Sequence, residues 1–304
     1  MSAHPIALTG ATGFVGQALL AEAAARGCAV KALARRPQPP RAGVEWVAGD
    51  LADKAALARL VAGAGAVVHV AGVVNAADAA GFEAGNVAGT AALIEAARAA
   101  GCQRFVFVSS LAARAPALSA YGASKARAEG LVAASGLDWT IVRPPSVYGP
   151  RDTENFELFK SARLGVVPVP RGVCASQIYV EDLARLLLDL VPATASLGAT
   201  YEPDDGRPGG WPMALFARAI GQAVGRRVWV PQLSPGLLRL AARIDVALRG
   251  GRAKLTPDRA SYMSHTDWVA RAAAHVPPAI WRPRVGGAEG LAATVAWYRA
   301  QGWL

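Results

Sequence analysis

The chain has 304 residues, of which 53% are hydrophobic and 18% are charged, and its formal net charge is +10. This composition supplies enough apolar material for a sizeable core, and it excludes collagen-like, low-complexity and disulfide-rich proteins. A chain of this length favours one large domain or two closely joined domains.

The first half of the chain alternates between strand and helix patterns. Short apolar runs predict strands at residues 6–8, 29–33, 44–47, 66–70, 104–108 and 139–142. Amphipathic or alanine-rich stretches predict helices at residues 16–26, 53–61, 82–99 and 119–134. Because repeated β-α units with nearly continuous apolar strands are typical of parallel sheets, we predict an α/β fold with a doubly wound Rossmann sheet.

The pattern changes after residue 145, where the chain becomes richer in proline and less periodic. A strand at 178–180 and a helix at 181–190 restore the first pattern. Further helices are predicted near residues 212–224, 235–248 and 287–300. We therefore predict a dinucleotide-binding domain from residues 1–145 and 173–192. A smaller, discontinuous substrate-binding lobe is predicted from residues 146–172 and 193–304.

The positive charge does not form a nucleic-acid-binding pattern, since the arginines are scattered and only five of the 32 basic residues are lysines. We expect no nucleic-acid partner and no metal site. No apolar run is long enough to span a bilayer, and the N-terminus lacks the features of a secretory signal. The three cysteines have no Cys-x-x-Cys spacing, so the expected location is the reducing cytoplasm.

A glycine-rich turn, Thr9-Gly-Ala-Thr-Gly-Phe-Val-Gly16, follows the first strand and opens the first helix. Gly10 permits a tight turn, Gly13 allows the backbone to approach a pyrophosphate, and Gly16 allows close packing of helix on strand. The helix N-terminus offers unpaired N–H groups and a partial positive charge to phosphates. The residues predicted to bind the cofactor here are Gly10, Thr12, Gly13, Phe14, Val15 and Gly16.

The Gly-x-x-Gly-x-x-Gly spacing of this turn resembles the start of extended short-chain dehydrogenases/reductases, the superfamily of the NAD-dependent epimerases/dehydratases. The resemblance extends over most of the chain, with specific motifs from Thr9 to Ala184. It implies an oxidoreductase that transfers a hydride between a nicotinamide cofactor and a small-molecule carbonyl or alcohol substrate. The sequence leaves open whether a second copy of the chain is also a partner.

The end of the second strand reads Leu33-Ala-Arg-Arg36, with no acidic residue in the position that would bind the ribose of NAD. Arg35 can pair with a 2′-phosphate, and either Arg35 or Arg36 can cover the adenine. We therefore predict NADP as the preferred cofactor over NAD. The alternative is a pair of solvated loop arginines.

Other positions acquire roles through the family resemblance. Asp50 would accept a hydrogen bond from the adenine amine, and its alternative role is a turn or helix cap. The remaining positions expected at the cofactor are Leu51, Ala71, Gly72, Pro144 and Ser146. His69 is expected to be a strand histidine without a catalytic role, and Asn86 to bridge buried polar groups.

The string Tyr121-Gly-Ala-Ser-Lys125 places a phenol and an ammonium four residues apart on one helix face. A nearby ammonium stabilises a phenolate, so Tyr121 is the predicted acid-base group, and Lys125 would also hold the cofactor's ribose. The resemblance assigns Ser110, at the end of the fifth strand, to the substrate carbonyl, with Ser109 as the alternative. Tyr121 and Lys125 are also expected to contact the cofactor.

Two departures from the sugar-modifying enzymes narrow the predicted activity. Ser110 and Tyr121 are separated by a short segment, and Leu111-Ala112 stands where dehydratases carry an Asp-Glu pair. Without those carboxylates the acid-base chemistry of water elimination is missing. We predict an NADPH-dependent ketone or aldehyde reductase. The alternatives are an NAD-dependent sugar-nucleotide epimerase and a non-catalytic nucleotide-binding accessory or regulatory protein.

The predicted helix near 235–248 has one apolar side, formed by Leu237, Leu240, Ala241, Ile244 and Leu248. The simpler expectation is that this side covers the substrate lobe. The alternative is a basic, apolar flap that admits lipophilic substrates or contacts an anionic membrane surface. Together with Trp211, Trp229 and Trp268, the helix favours a mainly apolar substrate, such as a prenyl, steroid-like or aromatic carbonyl compound.

Overall fold

The structure, a computed structural model, describes residues 4–76, 78–250, 253 and 255–304. Among these residues the strands are, in chain order, β1 (Ile6–Thr9), β2 (Val30–Ala34), β3 (Val44–Ala48), β4 (Ala66–His69), β5 (Arg104–Val108), β6 (Asp138–Val142), β7 (Ser146–Tyr148), β8 (Val169–Pro170), β9 (Cys174–Ala175), β10 (Gln177–Tyr179), β11 (Ala199–Tyr201), β12 (Trp211–Pro212), β13 (Gln232–Leu233) and β14 (Asp267–Trp268).

The α-helices of the same residues are α1 (Phe14–Ala25), α2 (Lys54–Val61), α3 (Ala79–Phe82), α4 (Gly89–Ala99), α5 (Ala120–Ala133), α6 (Phe156–Leu164), α7 (Val180–Leu190), α8 (Met213–Val224), α9 (Pro235–Arg249), α10 (Pro257–Met263) and α11 (Gly287–Ala300). A π-helical segment, Glu83–Ala88, joins α3 to α4, so the predicted single helix at 82–99 is in fact interrupted. Two short 3₁₀ helices, Leu111–Arg114 and Pro116–Leu118, connect β5 to α5.

The chain divides into two units. The first unit contains Met1–Pro144, Glu181–Glu202 and Val276–Arg282, and the second contains Pro145–Val180, Pro203–His275 and Pro283–Leu304. The domain division predicted from the sequence stays a prediction. The two units differ from it at residues 145, 173–180, 193–202 and 276–282, which fall in the opposite unit.

A parallel sheet forms the centre of the first unit. Seven strands of the described chain lie in the order β11-β6-β5-β4-β1-β2-β3, and every neighbouring pair is parallel. The strand order reverses between β1 and β4, and ligands of doubly wound sheets bind at the carboxyl ends of such strands. The predicted Rossmann fold is confirmed. The loops after β1, β4 and β5 carry the glycine turn, Ala71-Gly72 and Ser110 to this one edge.

Helix α2 shows how local sequence builds this unit. Asp53 precedes the helix, and its carboxylate accepts a hydrogen bond of 2.9 Å from the backbone N–H of Ala56, as an N-cap should. Leu57 and Leu60 are fully buried in the core cluster that also contains Leu93 of α4. The helix predicted at 53–61 is therefore present, with Asp53 as its N-cap rather than its first residue.

Aromatic side chains dominate the core of the second unit. Tyr148, Phe159, Phe216 and Tyr298 lie in one buried cluster. Trp211 belongs to the same cluster, and Trp268 is also buried. Using these two tryptophans as evidence for an apolar substrate was therefore wrong, because they fill the core of the unit.

Helix α9 of the second unit was expected to pack through Leu237, Leu240, Ala241, Ile244 and Leu248. The structure instead buries Leu238 and Ala242, which pack with Ala260 of α10. The four large residues of the expected apolar side are exposed, and Ala241 is half-buried. The expectation that this side covers the lobe was wrong, since the helix packs through the narrow side formed by Leu238 and Ala242. No helix of the described residues is long and apolar enough to cross a membrane.

Candidate active site

The glycine turn after β1 has the geometry that its sequence predicts. Gly10 has a φ of +74°, and a Cβ at this position would lie 2.6 Å from the backbone nitrogen of Ala71. A side chain on Gly16 would overlap the Gly10 carbonyl oxygen. The Gly13 N–H donates a hydrogen bond of 3.0 Å to the same oxygen. The turn can therefore be built only with glycine at its first and last positions.

The N-terminus of α1 is open to an anion. Gly13 is the N-cap and provides no side-chain oxygen, and the first helical turn contains no acidic residue. Thr12 and Gly13 are exposed, whereas Phe14 and Val15 are half-buried. Because N–H groups at a helix N-terminus attract phosphates, this turn fits the pyrophosphate of a dinucleotide.

Arg35 and Arg36 come directly after the last residue of β2 and are both exposed. Their side chains are accessible to a ligand at the carboxyl edge of the sheet. The strand end offers guanidinium groups where NAD-specific enzymes offer a carboxylate. A role of Arg35 and Arg36 in binding a 2′-phosphate remains a prediction.

Asp50 has the alternative role that the sequence left open. Its Oδ1 accepts hydrogen bonds from the N–H groups of Ala52, at 2.9 Å, and Asp53, at 3.2 Å. Leu51 packs beneath Gly89, where a Cβ would come within 2.8 Å of the leucine side chain. Asp50 therefore caps the turn before α2, and its contact with adenine stays a prediction.

The segment after β4 lies close to the lysine of α5. A Cβ at Gly72 would lie 3.5 Å from Lys125 Nζ and 3.2 Å from Asn86 Oδ1. The Asn86 amide accepts from the N–H of Val73 at 2.7 Å and donates to Ser124 Oγ at 2.9 Å. Asn86 thus ties this segment to α5, which is the bridging role expected for it.

His69 ends β4 and is fully buried. Its Nδ1 lies 2.6 Å from Thr9 Oγ1, and its Nε2 lies 3.0 Å from Thr90 Oγ1. Burial, with a smaller contribution from the charge of Lys125, lowers the pKa of His69 to about 3. Thr9 Oγ1 also accepts from the backbone N–H of Ala71 at 3.2 Å. His69 is a neutral structural residue that fastens β4 to its neighbours.

Helix α5 begins directly before the predicted acid-base residue. Ser119 caps the helix by accepting a hydrogen bond of 3.0 Å from the N–H of Gly122, which places Tyr121 in the first turn. Burial raises the pKa of Tyr121, and a hydrogen bond with the Ser110 hydroxyl opposes this effect. The net shift of the pKa is upward, and stabilisation of the phenolate by Lys125 during the reaction stays a prediction. Tyr121 is a protonated phenol at neutral pH.

Lys125 lies one turn further along α5 and is only 4% exposed. Its Nζ donates a hydrogen bond of 2.7 Å to the carbonyl oxygen of Val108 and lies 4.7 Å from the ring centre of Phe107. Burial lowers the pKa of Lys125 to about 8, and the carboxylate of Glu129 opposes this shift. The ammonium form therefore still predominates at neutral pH.

The two serines after β5 differ in their surroundings. Ser109 is buried, and within the described residues its hydroxyl has no hydrogen-bond partner. Ser110 is half-buried, bonds with Tyr121, and accepts from the N–H of Ala112 at 3.2 Å. These contacts favour Ser110 as the serine that works with Tyr121. The role remains a prediction.

The two predicted residues after β6 lie in different units. The buried Pro144 accepts a hydrogen bond of 3.0 Å from the N–H of Leu111, and it thereby holds the segment that follows Ser110. Ser146 begins β7 of the second unit and pairs with Gln177 of β10. A contact of either residue with the cofactor stays a prediction.

A network of charged residues that the sequence analysis missed supports this segment. Arg143 donates to both oxygens of Glu129, at 2.9 and 2.6 Å, and lies 3.6 Å from Glu202. Arg114, in the loop between Ser110 and Tyr121, donates to Glu202 at 3.2 Å. The only sequence signal was Glu129 itself, one helical turn beyond Lys125 and therefore on the same face.

Comparison with known proteins gives a consistent result. A family model described as NAD(P)H-binding matches residues 10–192. The ceramide reductase of Caulobacter vibrioides is 40% identical over 309 residues, which cover 98% of this chain and 96% of the reductase. The 4-hydroxy-2-methyl-3-oxo-4-farnesyl-3,4-dihydroquinoline-1-oxide ketoreductase of Stigmatella aurantiaca is 34% identical over 303 residues, covering 83% of this chain and 89% of that protein.

A solved structure shows the same fold. The Thermus thermophilus UDP-glucose 4-epimerase in complex with NAD superposes with a TM-score of 0.69 at 22% identity, covering 97% of this chain and 99% of the epimerase. This likeness concerns the fold. The two sequence relatives, by contrast, are both named as reductases.

Proposed function

This chain belongs to the NAD(P)H-binding, extended short-chain dehydrogenase/reductase superfamily, and we propose that it is an NADPH-dependent reductase of a ketone in a ceramide-type lipid. The observation that carries the proposal is the hydrogen bond between Tyr121 and Ser110, with Lys125 one turn further along α5. Burial keeps the Tyr121 hydroxyl protonated. Carbonyl reduction requires an acid at the oxygen atom, and a neutral phenol beside a serine hydroxyl supplies one.

Each residue of the triad has a distinct role in this reaction. The Ser110 hydroxyl donates to the carbonyl oxygen and holds it beside Tyr121 as negative charge develops. Tyr121 then transfers its proton to that oxygen. The ammonium of Lys125, one turn away on α5, stabilises the phenolate that remains. NADPH, when bound, supplies the hydride for the carbonyl carbon.

The preference for NADPH is supported by the two exposed arginines after β2. Arg35 and Arg36 offer positive charge to a 2′-phosphate. That strand end has no carboxylate, which is the group that would bind the ribose hydroxyl of NAD. Loss of one bidentate phosphate contact costs on the order of 1.5–3 kcal/mol, which corresponds to a roughly tenfold to hundredfold change in affinity. Titration of NADPH and NADH into wild type and Arg35→Ala tests this preference. Tighter binding of NADH by wild type would contradict it.

The substrate class is supported by the relatives and by the segment between Ser110 and Tyr121. The relative with 98% coverage of this chain is a ceramide reductase, and the second acts on a farnesyl-substituted ketone. Residues 111–120 contain no acidic residue, so this segment provides no carboxylate for sugar chemistry.

The three free cysteines support the cytoplasm as the site of the reaction.

The proposal is tested by NADPH oxidation with a panel of carbonyl compounds. The panel contains ceramide-type lipids with a keto group, short ketones with the same head group, and a UDP-sugar. We expect turnover with the long-chain lipids and little with the short ketones. An epimerase returns the hydride and consumes no cofactor, so the UDP-sugar is also incubated with NAD and its products are analysed. Epimerisation of the sugar without NADPH oxidation by the lipids would support the epimerase alternative. NADPH binding without oxidation of NADPH by any compound would support a non-catalytic nucleotide-binding protein.

A further inference from the structure

The outer face of α9 is an apolar stripe that the second unit does not cover. Leu237, Leu240, Ile244 and Leu248 are 53%, 53%, 50% and 78% exposed. Their spacing places them on one side of the helix over three turns. Large apolar side chains are usually exposed singly, so a continuous stripe of four indicates a contact surface.

The side of α9 that faces the protein is different and much narrower. Leu238 and Ala242 are buried against Ala260, and Leu233 and Leu255 complete this small cluster. Ser234 caps the helix through the N–H of Leu237. The contacts of this narrower side therefore hold the helix on the second unit.

Positive charge runs beside the stripe. Arg239 and Arg243 are exposed and lie one turn apart on the same flank. The one acidic residue of the helix is Asp245, and among the described residues its carboxylate does not pair with Arg239 or Arg243. It accepts a hydrogen bond from the N–H of Leu255 at 2.9 Å and forms an ion pair with Arg249 at 3.0 Å. The outer surface of α9 is consequently apolar and cationic, on a chain whose net charge is +10.

We propose that α9 docks on the surface of a bilayer containing anionic phospholipids, with its leucine-rich stripe in the interface and its arginines among the lipid phosphates. An apolar helix face flanked by arginines is the pattern of helices that lie in a membrane interface. The lipid headgroups complement Arg239 and Arg243. A second copy of α9 would instead bring like charges together at the edges of the stripe.

A second group of exposed apolar side chains, Trp229 and Leu164, could also contact a membrane. Trp229 is 69% exposed, and Leu164 is 81% exposed. They are neighbours because the N–H of Trp229 donates to Gly165 O at 2.9 Å. Tryptophan is common at membrane interfaces, so this group is the rival surface that the experiment must separate from α9.

The test is cosedimentation of the full chain with vesicles of equimolar phosphatidylethanolamine and phosphatidylglycerol, compared with vesicles of phosphatidylcholine alone. We expect binding to the anionic vesicles and weakening of that binding by salt. The double variant Leu240→Glu/Ile244→Glu should weaken binding by at least about tenfold. Arg239→Gln/Arg243→Gln should weaken it by on the order of tenfold on anionic vesicles.

The matched control is Leu197→Glu/Leu215→Glu, which places the same charges at exposed leucines outside α9 and should leave vesicle binding unchanged. An equal loss of vesicle binding in this control would overturn the proposal. So would loss of vesicle binding in Trp229→Ala together with unchanged binding in the α9 double variant. So would a dimer in solution that the α9 variant converts to monomers. Vesicle binding is measured without substrate, so a failure here is separable from a failure of the proposed reductase activity.

Discussion

Helices α5 and α9 depart from the ordinary amphipathic pattern in opposite directions. Helix α5 of the first unit buries Ser124, Lys125 and Glu129. Helix α9 of the second unit exposes Leu240 and Leu248 on its outer face. In one helix polar groups lie inside, and in the other apolar groups lie outside.

The difference shows how to separate a reaction site from a docking surface. Burying an ammonium is unfavourable unless it has partners, and α5 provides them: Lys125 bonds to the carbonyl of Val108, and Glu129 bonds to Arg143. On α9 the exposed leucines form a stripe without comparable cover. Folding alone explains neither departure, which is typical of residues retained for function.

The largest effect is expected for Tyr121→Phe, which removes the proton donor of α5. Turnover of the reductase substrate should fall by roughly 10²- to 10⁴-fold, because general acid catalysis is lost. NADPH binding, measured by fluorescence titration, should be nearly unchanged. Tyr201→Phe removes a hydroxyl elsewhere in the same unit and should keep wild-type turnover. Wild-type turnover by Tyr121→Phe would show that the acid is another group.

A large effect on stability is expected for Glu129→Gln, which breaks the charged network behind α5. It leaves the guanidinium of Arg143 without its bidentate carboxylate, and breaking such a pair costs about 3 kcal/mol. The free energy of unfolding, obtained from urea denaturation, measures this loss.

The control for this variant is Glu83→Gln, which breaks an ion pair of similar chemistry at the surface. Glu83 and Arg127 are about half-exposed and 2.5 Å apart. Exposed pairs contribute about 0–1 kcal/mol, so the control should change the free energy of unfolding only slightly. Equal losses of unfolding free energy in the two variants would show that the network behind α5 contributes no more to stability than the surface pair.

The burial of Lys125 predicts a pH dependence of stability. Its pKa falls from 10.5 to about 8 on folding, so between these pH values the unfolded chain holds a proton that the folded chain has released. The free energy of unfolding should therefore rise with pH across this range, by roughly 3 kcal/mol.

Lys125→Met provides the control, because every other titrating group is retained. The difference in unfolding free energy between wild type and variant, followed from pH 8 to 10.5, isolates the contribution of the lysine. A constant difference across the range would contradict the burial of a titrating ammonium on α5.

The smallest effects separate the two faces of α9. Leu238→Ala removes a buried side chain and should lower the free energy of unfolding by about 2 kcal/mol. Leu240→Ala, two residues away on the exposed stripe, should change it by at most about 0.5 kcal/mol. Thermal or urea unfolding of the two variants makes the comparison. Equal losses would show that the outer stripe also packs against the protein.

The sequence predicted the sheet well because each strand of the first unit is a short apolar run with a turn signal after it. Strand β5 was predicted with its observed ends. Strand β11 was missed because only three residues, Ala199–Tyr201, extend the sheet beside β6. Helices α6 and α10 were also missed, since charged residues interrupt the apolar pattern of α6 and α10 has only seven residues, beginning at Pro257.

At the site, local motifs were predictable and long-range partners were not. Gly10, Tyr121 and Lys125 lie in short strings whose spacing has a physical meaning. Arg143 meets Glu129 only after β6 is placed beside α5 in the fold. The orientation of α9 was unpredictable for the same reason. Its sequence shows an apolar side, but the packing of Leu238 decides which side faces the protein.

The central claim is net hydride transfer from NADPH to the carbonyl carbon of a long-chain lipid, and isotope transfer tests it most directly. NADPH with both hydrogens of its reactive carbon replaced by deuterium is incubated with the chain and a ceramide-type ketone, and the lipid product is analysed by mass spectrometry. The account predicts an alcohol that carries one deuterium, with one NADPH oxidised for each alcohol formed. A product without deuterium, or lipid left unchanged while NADPH remains bound, would contradict it.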